Sequence, residues 1–310
     1  MGVFYHTDNL PEFKNAVVTI GTFDGVHLGH QAILQTVIDK AIEMQGESIV
    51  ITFHPHPRKL LFPHQELKML TPLEDKISLL KNLGIDHIVV VPFTTEFSNL
   101  SAEQYIHDFL VDQFHPHTIV IGYDHHFGSD RKGNIHLLKA TQLECNFQLI
   151  EIPEQLIDEA GISSTKIRNS LQTGDVREAA MMMGRGYSLK GTVITGNQLG
   201  RTIGYPTANL SLTDTDQLLP CLGIYCVQVR YKEELLGGML SIGYNPTVTD
   251  QKTIKIEVHL FDFDRDIYGD ALELIFIQYM RGEQKFESVQ ALTAQLKKDE
   301  VMAKSILKSL

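Results

Sequence analysis

Two histidines three residues apart are the first candidates for chemistry. They are His27 and His30, in the run Gly21-Thr22-Phe23-Asp24-Gly25-Val26-His27-Leu28-Gly29-His30. A β-branched stretch precedes the run, and Ile33, Leu34, Val37, Ile38 and Ala41 follow it at helical spacing. The run therefore reads as a turn from a strand into a helix. A helix N-terminus offers free N–H groups and a partial positive charge, and both attract phosphate. The glycines let the backbone approach such a ligand closely. On an opening helical turn the two imidazoles face the same way. They can donate hydrogen bonds to triphosphate oxygens and stabilise charge that builds up during a transfer. No GxxxxGK[ST] run occurs in the chain, so the device is not a Walker A loop.

Three further constellations carry chemistry. Ile162-Ser163-Ser164-Thr165-Lys166-Ile167-Arg168 puts hydroxyls at a helix start, where they can cap it or touch phosphate, and adds a planar guanidinium fork. Alone, it reads as an N-cap. Gly196-Asn197-Gln198-Leu199-Gly200-Arg201-Thr202-Ile203-Gly204-Tyr205-Pro206-Thr207-Ala208-Asn209 follows a strand-like stretch, so its glycines open a loop able to wrap phosphates. Glu257 lies between Lys255 and His259 on the polar face of an alternating strand. Alone, it reads as a solvated glutamate.

These groups need elements to hold them. In the first half, residues 16–20, 49–53, 88–91 and 118–121 are short β-branched runs. Helical patterns lie between them. The first is capped by Gly46, a second runs over 73–83 up to Gly84, and a third over 101–113 starts with Ser101 and Gln104 as a capping box. Such alternation predicts a parallel sheet covered by helices. Near Gly184-Arg185-Gly186 the pattern changes. Tyr225, Val227, Val229 and Tyr231 alternate, as do Ile254, Ile256, Val258 and Leu260, and 271–279 is a further strand. The tail from Glu287 to Leu310 reads as an amphipathic helix. The prediction is an α/β domain over 1–184, then an antiparallel β-barrel with a C-terminal helix over 185–310.

The run GTFDGVHLGH resembles the signature of the HxGH nucleotidyltransferases. More closely it resembles the adenylyltransferase half of bacterial bifunctional riboflavin kinase/FAD synthetases, and the likeness covers nearly the whole chain. It implies a Rossmann-like first domain and a riboflavin kinase barrel. Gly21, Phe23, Asp24 and Gly29 would bind nucleotide, with His27, His30 and Arg168 catalytic and Ser163, Ser164 and Thr165 contributing to binding. Gly122-Tyr123-Asp124-His125-His126-Phe127-Gly128 resembles the family's GxDFxFG, which assigns Asp124 and Phe127 to binding. His125 departs from the usual Phe. An imidazole there would titrate between about pH 6 and 8, weakening FMN affinity as pH rises. The glycine loop resembles GxxxGRxxGxPTAN. It implies that Thr207 and Asn209 ligate Mg²⁺, for which their oxygens are suited, and that Gly200, Arg201, Gly204 and Pro206 shape the ATP site. The segment from Glu257 to Gly269 resembles ExHxxxFxxxxYG, which makes Glu257 the base for the riboflavin hydroxyl. Asn245 and Arg281 also fit the family pattern. The substrates implied are ATP with Mg²⁺, riboflavin and FMN, with FAD as product.

Composition narrows the partners. A formal net charge of -11 disfavours general binding to nucleic acid, whose phosphates would be repelled. Cys145, Cys221 and Cys226 form no CxxC pair, and an odd number of cysteines suits a reducing cytoplasm. The first residues, MGVFYHTDNL, show no secretion or myristoylation pattern. No apolar run approaches the roughly 18 residues of a membrane span. His54 and His56, or His125 and His126, would suggest a metal, but the former pair overlays a TFxPxP segment in which neither histidine is a ligand. Three other readings remain from sequence: a single-activity enzyme (an FAD synthetase with a vestigial kinase half, or the reverse), a non-catalytic flavin-binding regulator, and an HxGH enzyme with another acceptor such as phosphopantetheine.

Overall fold

The structure, a computed structural model, describes residues 2–123, 125–153, 161–196, 199–244 and 254–310. The chain divides into two compact units, Met1–Ser164 and Thr165–Leu310.

The first unit is built on a six-stranded parallel sheet in the order β1-β4-β3-β2-β5-β6. Its strands are β1 Gly2–Phe4, β2 Val17–Ile20, β3 Ser48–His54, β4 His87–Pro92, β5 Thr118–Gly122 and β6 Gln148–Ile152. The inner runs are apolar without alternation because both faces are covered. Ile49, Ile51 and Val89 face one layer, with Ile106, Phe109 and Phe114. Val50, Ile88 and Val90 face the other. There they meet Leu34 of α1 (Leu28–Glu43) and Ile77 and Leu80 of α2 (Leu73–Asn82). The chain winds from β2 outward through β3 to β4, then crosses to β5 and β6. The order reverses between β2 and β5, and a ligand crevice is expected outside the carboxyl ends of those two strands.

Two helical expectations meet a different geometry. Gly46 is not the left-handed residue that ends α1, since Gln45 takes that role at φ 49°. The Gly46 and Gln45 amides close the paired bonds of a Schellman motif on Ala41 and Ile42. Gly46 is needed for space, because a Cβ there would lie 2.3 Å from the Asn15 carbonyl oxygen. The capping box at Ser101 and Gln104 is present, but Tyr105–Val111 is wound as a π-helix. Tyr105 there stacks on Phe127, with centroids 4.8 Å apart.

The second unit holds a closed antiparallel barrel, β10-β11-β8-β7-β12-β9. Its strands are β7 Ser188–Ile194, β8 Ala208–Leu212, β9 Gly223–Tyr231, β10 Glu234–Tyr244, β11 Ile254–Leu260 and β12 Ala271–Arg281. Two helices precede it, α3 Ser164–Thr173 and α4 Val176–Met183. They pack with the barrel unit. The Cys221 amide donates to the Leu171 carbonyl, and the backbone of Gly174 lies against Cys221 and Tyr279. The amphipathic tail is α5, Val289–Lys308, whose Ala303 packs with Cys226, Met239 and Phe261. Among the described residues no helix is long and apolar enough to cross a membrane.

Leu34 is fully buried between α1 and the sheet, while Ile42 on the same helix is 71% exposed. Leu34→Ala should destabilise the first unit by about 2–5 kcal/mol. Ile42→Ala should change it by less than about 0.5 kcal/mol. Urea unfolding followed by amide exchange in β3 checks the difference.

Candidate active sites

At the crevice between β2 and β5 lies a cavity of about 360 Å³. Gly21, Phe23 and His27 line it from the turn after β2, Gly29 and His30 from the first turn of α1, Tyr123 and His125 from the turn after β5, and Ser163 and Ser164 from the start of α3. The loop that supplies the histidines is tightly wound. Phe23, Gly25 and Val26 all have positive φ, at 46°, 89° and 38°. A β-branched residue there is strained and must be held by its surroundings. Asp24 does much of the holding. It is 1% exposed, and its carboxylate accepts from the amides of Leu70 at 3.0 Å and Thr71 at 3.1 Å. Its carbonyl accepts from Ser164 Oγ at 2.9 Å. The Asp24 side chain therefore anchors the loop and does not line the cavity.

His27 is the N-cap of α1. Its Nδ1 accepts from the His30 amide at 3.3 Å, which leaves the ring proton on Nε2. The two rings stack with centroids 3.6 Å apart, and His30 meets the Phe23 ring edge-on at 5.3 Å. The sequence spacing thus becomes a pair of parallel imidazoles at a helix N-terminus, suited to oxyanions.

The remaining predicted residues of this site are placed differently. Asp124 lies outside the described residues. Phe127 is buried against Tyr105 in the core and does not line the cavity. Thr165 is exposed and Arg168 half-buried, both on α3 in the second compact unit. His125 lines the cavity, and burial with neighbouring His126 pushes its pKa down to about 4. The expected titration at 125 between pH 6 and 8 is therefore corrected, because desolvation disfavours the imidazolium there. His56 caps the helix Pro57–Leu61 through its Nδ1. Among the described residues no group of three or more His, Cys, Asp or Glu could hold a metal.

Sequence reading missed Lys76. It is 4% exposed on α2, and its Nζ donates to the Thr22 carbonyl and to Thr52 Oγ1. A signal was available, since Lys76 occupies an apolar-face position of α2 beside Ile77 and Leu80.

The barrel unit carries two cavities, and both are lined by Thr207. The smaller, about 310 Å³, is bounded by Arg201, Pro206, Ala208, Val258 and the loop 263–268. The larger, about 470 Å³, is bounded by Gly200, Leu240, Glu257, Arg281 and Phe286 among others. Gly200 has no room for a side chain, since a Cβ would lie 2.2 Å from the Tyr205 carbonyl oxygen. Gly204 supplies a turn at φ 82° and does not line either cavity. A ring nitrogen of His259 donates to the Pro206 carbonyl at 2.7 Å and fixes the loop's exit.

Register then brings the candidate base and the candidate metal ligand together. Glu257 on β11 pairs directly with Asn209 on β8, so their side chains share a face. Lys255 Nζ donates to Glu257 Oε1 at 2.7 Å. Asn209 is buried, and its Oδ1 has no hydrogen-bond partner among the described residues. An uncompensated buried carbonyl oxygen is costly and fits a hard cation such as Mg²⁺, although Asn209 itself lines neither of the cavities that Thr207 lines. Arg281 is held by Asp299 of α5, through Nε at 3.1 Å and Nη2 at 2.7 Å. Asn245 lies outside the described residues.

Comparison with known proteins finds two family models on the chain. The FAD synthetase family model matches residues 10–166, and the riboflavin kinase model matches residues 183–307. A bifunctional riboflavin kinase/FMN adenylyltransferase of Listeria monocytogenes is 42% identical over 287 residues, covering 92% of this chain and 90% of its own. A protein of the same description from Haemophilus influenzae is 38% identical over 297 residues, covering 96% of each. A crystal structure from Streptococcus pneumoniae, described as a macrolide-efflux protein, matches with a TM-score of 0.87 and 32% identity, covering 97% of this chain and 98% of that one. With two family models that together span most of the chain and relatives matching along nine-tenths of its length, the chain belongs to the bifunctional riboflavin kinase/FMN adenylyltransferase family.

Proposed function

We infer that the chain phosphorylates riboflavin to FMN and adenylylates FMN to FAD, using ATP for both. The observation that carries this reading is the barrel register that sets Glu257 opposite Asn209, alongside the stacked His27–His30 pair at the sheet crevice. One module alone would need only one of these arrangements. Their joint presence favours two activities over a single-activity enzyme, a non-catalytic flavin-binding regulator or an HxGH enzyme with another acceptor. We assign adenylyl transfer to 1–184 and phosphorylation to 185–310. Helix α3 carries both Thr165 and Arg168 of the adenylyl motif, and α3 and α4 pack with the barrel unit. The cysteines at 145, 221 and 226 are free, in keeping with a cytoplasmic enzyme.

In phosphorylation the 5′-hydroxyl of riboflavin attacks the γ-phosphorus of ATP and ADP leaves. Glu257 accepts the hydroxyl proton, and Lys255 steadies the carboxylate. The larger cavity, with Leu240 and Phe286, suits an isoalloxazine ring, and the smaller suits the nucleotide. Thr207 stands where the two meet. Thr207 and Asn209 would hold Mg²⁺, which neutralises charge on the ATP phosphates. In adenylyl transfer an FMN phosphate oxygen attacks the α-phosphorus, the bond to the β-phosphate breaks and pyrophosphate leaves. The nucleophile is already anionic, so positioning and charge stabilisation dominate. His27 and His30 donate to the developing charge. Ser163 and Ser164 approach from across the crevice.

Incubation with riboflavin, ATP and Mg²⁺, with the flavins separated over time, tests the whole reading. FMN should appear first and FAD after it, and absence of both would refute it. His30→Ala should abolish FAD formation while FMN formation persists. Glu257→Gln should lower kcat for FMN formation by roughly 10²–10⁴ and spare FAD formation from supplied FMN. Because His125 stays neutral from pH 6 to 8, His125→Phe should leave the pH dependence of FMN affinity in that range unchanged. Equilibrium binding of FMN at several pH values checks this.

A further inference from the structure

Lys76 is not used by the chemistry above. It sits on α2 in the apolar layer with Ile77, Leu80 and Val50, and among the described residues no other lysine is as buried. Its Nζ lies 3.0 Å from the Thr22 carbonyl oxygen and 3.0 Å from Thr52 Oγ1. Thr52 Oγ1 itself donates to the Thr22 carbonyl at 3.2 Å. The charged group that faces Lys76 is Asp24 of the same loop. Thr22 lines the crevice cavity, whereas Lys76 does not.

Burying an ammonium costs free energy even when its hydrogen bonds are made. A methionine of similar length would fill the layer without that cost. What a methionine cannot supply is the bond to the Thr22 carbonyl and the bond to Thr52 Oγ1, which itself donates to that carbonyl from the apolar side. Resting on the adenylyl-transfer reading of this cavity, we propose that Lys76 is a positioning residue for that reaction, fixing Thr22 and through it the turn that carries His27 and His30. It acts on geometry and touches no reacting atom. The strained backbone at Phe23 and Val26 needs such a strut, because a loop free to relax would carry the imidazoles away from the phosphates.

The test uses the full chain with Lys76→Met and Lys76→Gln. FAD formation from FMN, ATP and Mg²⁺ is measured beside FMN formation from riboflavin, together with the thermal midpoint. For Lys76→Met, kcat for FAD formation should fall about 10- to 100-fold, the penalty expected of reacting groups displaced by about an ångström. KM should change less than kcat, and riboflavin phosphorylation should stay within about twofold. The thermal midpoint should hold or rise, because a buried charge has been removed. Lys76→Gln keeps two donors and should recover part of the rate.

Stability against pH adds an independent reading. Burial pushes the Lys76 pKa down to about 8 from 10.5, with Asp24 opposing. Between those values the unfolded chain binds a proton that the folded chain has released, so the parent gains stability as pH rises through the window. Lys76→Met should lack that gain, and a variant that keeps it would overturn the buried placement. FAD formation at the parental rate would overturn the proposal. So would a loss of rate matched by a loss of thermal stability, which is the mark of a purely structural residue. Should Lys76→Met fail to fold, Thr52→Val carries the test: a smaller fall in kcat supports the proposal and an unchanged rate overturns it. A parent enzyme that forms FMN but no FAD would refute the adenylyl-transfer reading itself, with no variant involved.

Discussion

A buried carboxylate that must find donors governs the sheet unit. Asp24 follows a strand that ends in the middle of a parallel sheet, where water is excluded from below. It is satisfied by the amides of Leu70 and Thr71, some 46 residues further along the chain. That pairing ties the turn after β2 to the segment entering α2. The turn can then hold positive φ at three of four consecutive residues, Phe23, Gly25 and Val26. His27 follows directly as the cap of α1. The stacked imidazoles, the exposed helix N-terminus and the crevice all depend on this loop keeping its shape. Strain held by buried polar contacts is a common way to preorganise charge-stabilising groups.

The barrel unit solves a different problem by register. A closed antiparallel sheet has no free edge, so each strand's pairing is determined on both sides. β8 is short and meets β11 at Ala208 and Asn209. A slip of one residue would turn Glu257 into the apolar interior and Val258 outward. The alternation of Ile256, Val258 and Leu260 with Lys255, Glu257 and His259 forbids that slip. The placement of the candidate base Glu257 opposite the candidate cation ligand Asn209 is thus a by-product of packing the barrel core.

The two devices differ in how tolerant they are. The loop after β2 relies on polar contacts between segments distant in sequence, and each contact is expensive to lose once buried. The barrel relies on repeated apolar positions that share the load. Arg281 adds a polar link of the first kind, since its guanidinium is held by Asp299, itself buried and accepting from Gln295 on α5.

Much of the architecture is legible in the residues alone. The β-branched runs, the period-two strands and the GTFDGVHLGH and PTAN runs define two modules because strand periodicity, helix caps and phosphate-loop glycines are local physics. The strands β2 to β5, β9, β11, β12 and the tail helix all lie where the pattern puts them. The rest depends on partners far away in sequence. Whether Asp24 and Phe127 meet a ligand or the protein is decided by what packs against them, and both turn inward. The charge state of His125 follows from burial, and the apolar-face position of Lys76 points to burial without showing that it meets Thr22. Sequence by itself determined which chemistry was available and in which element each group sits. Tertiary structure alone decided which groups face substrate and which hold the others in place, because burial and register are set by contacts between segments distant along the chain.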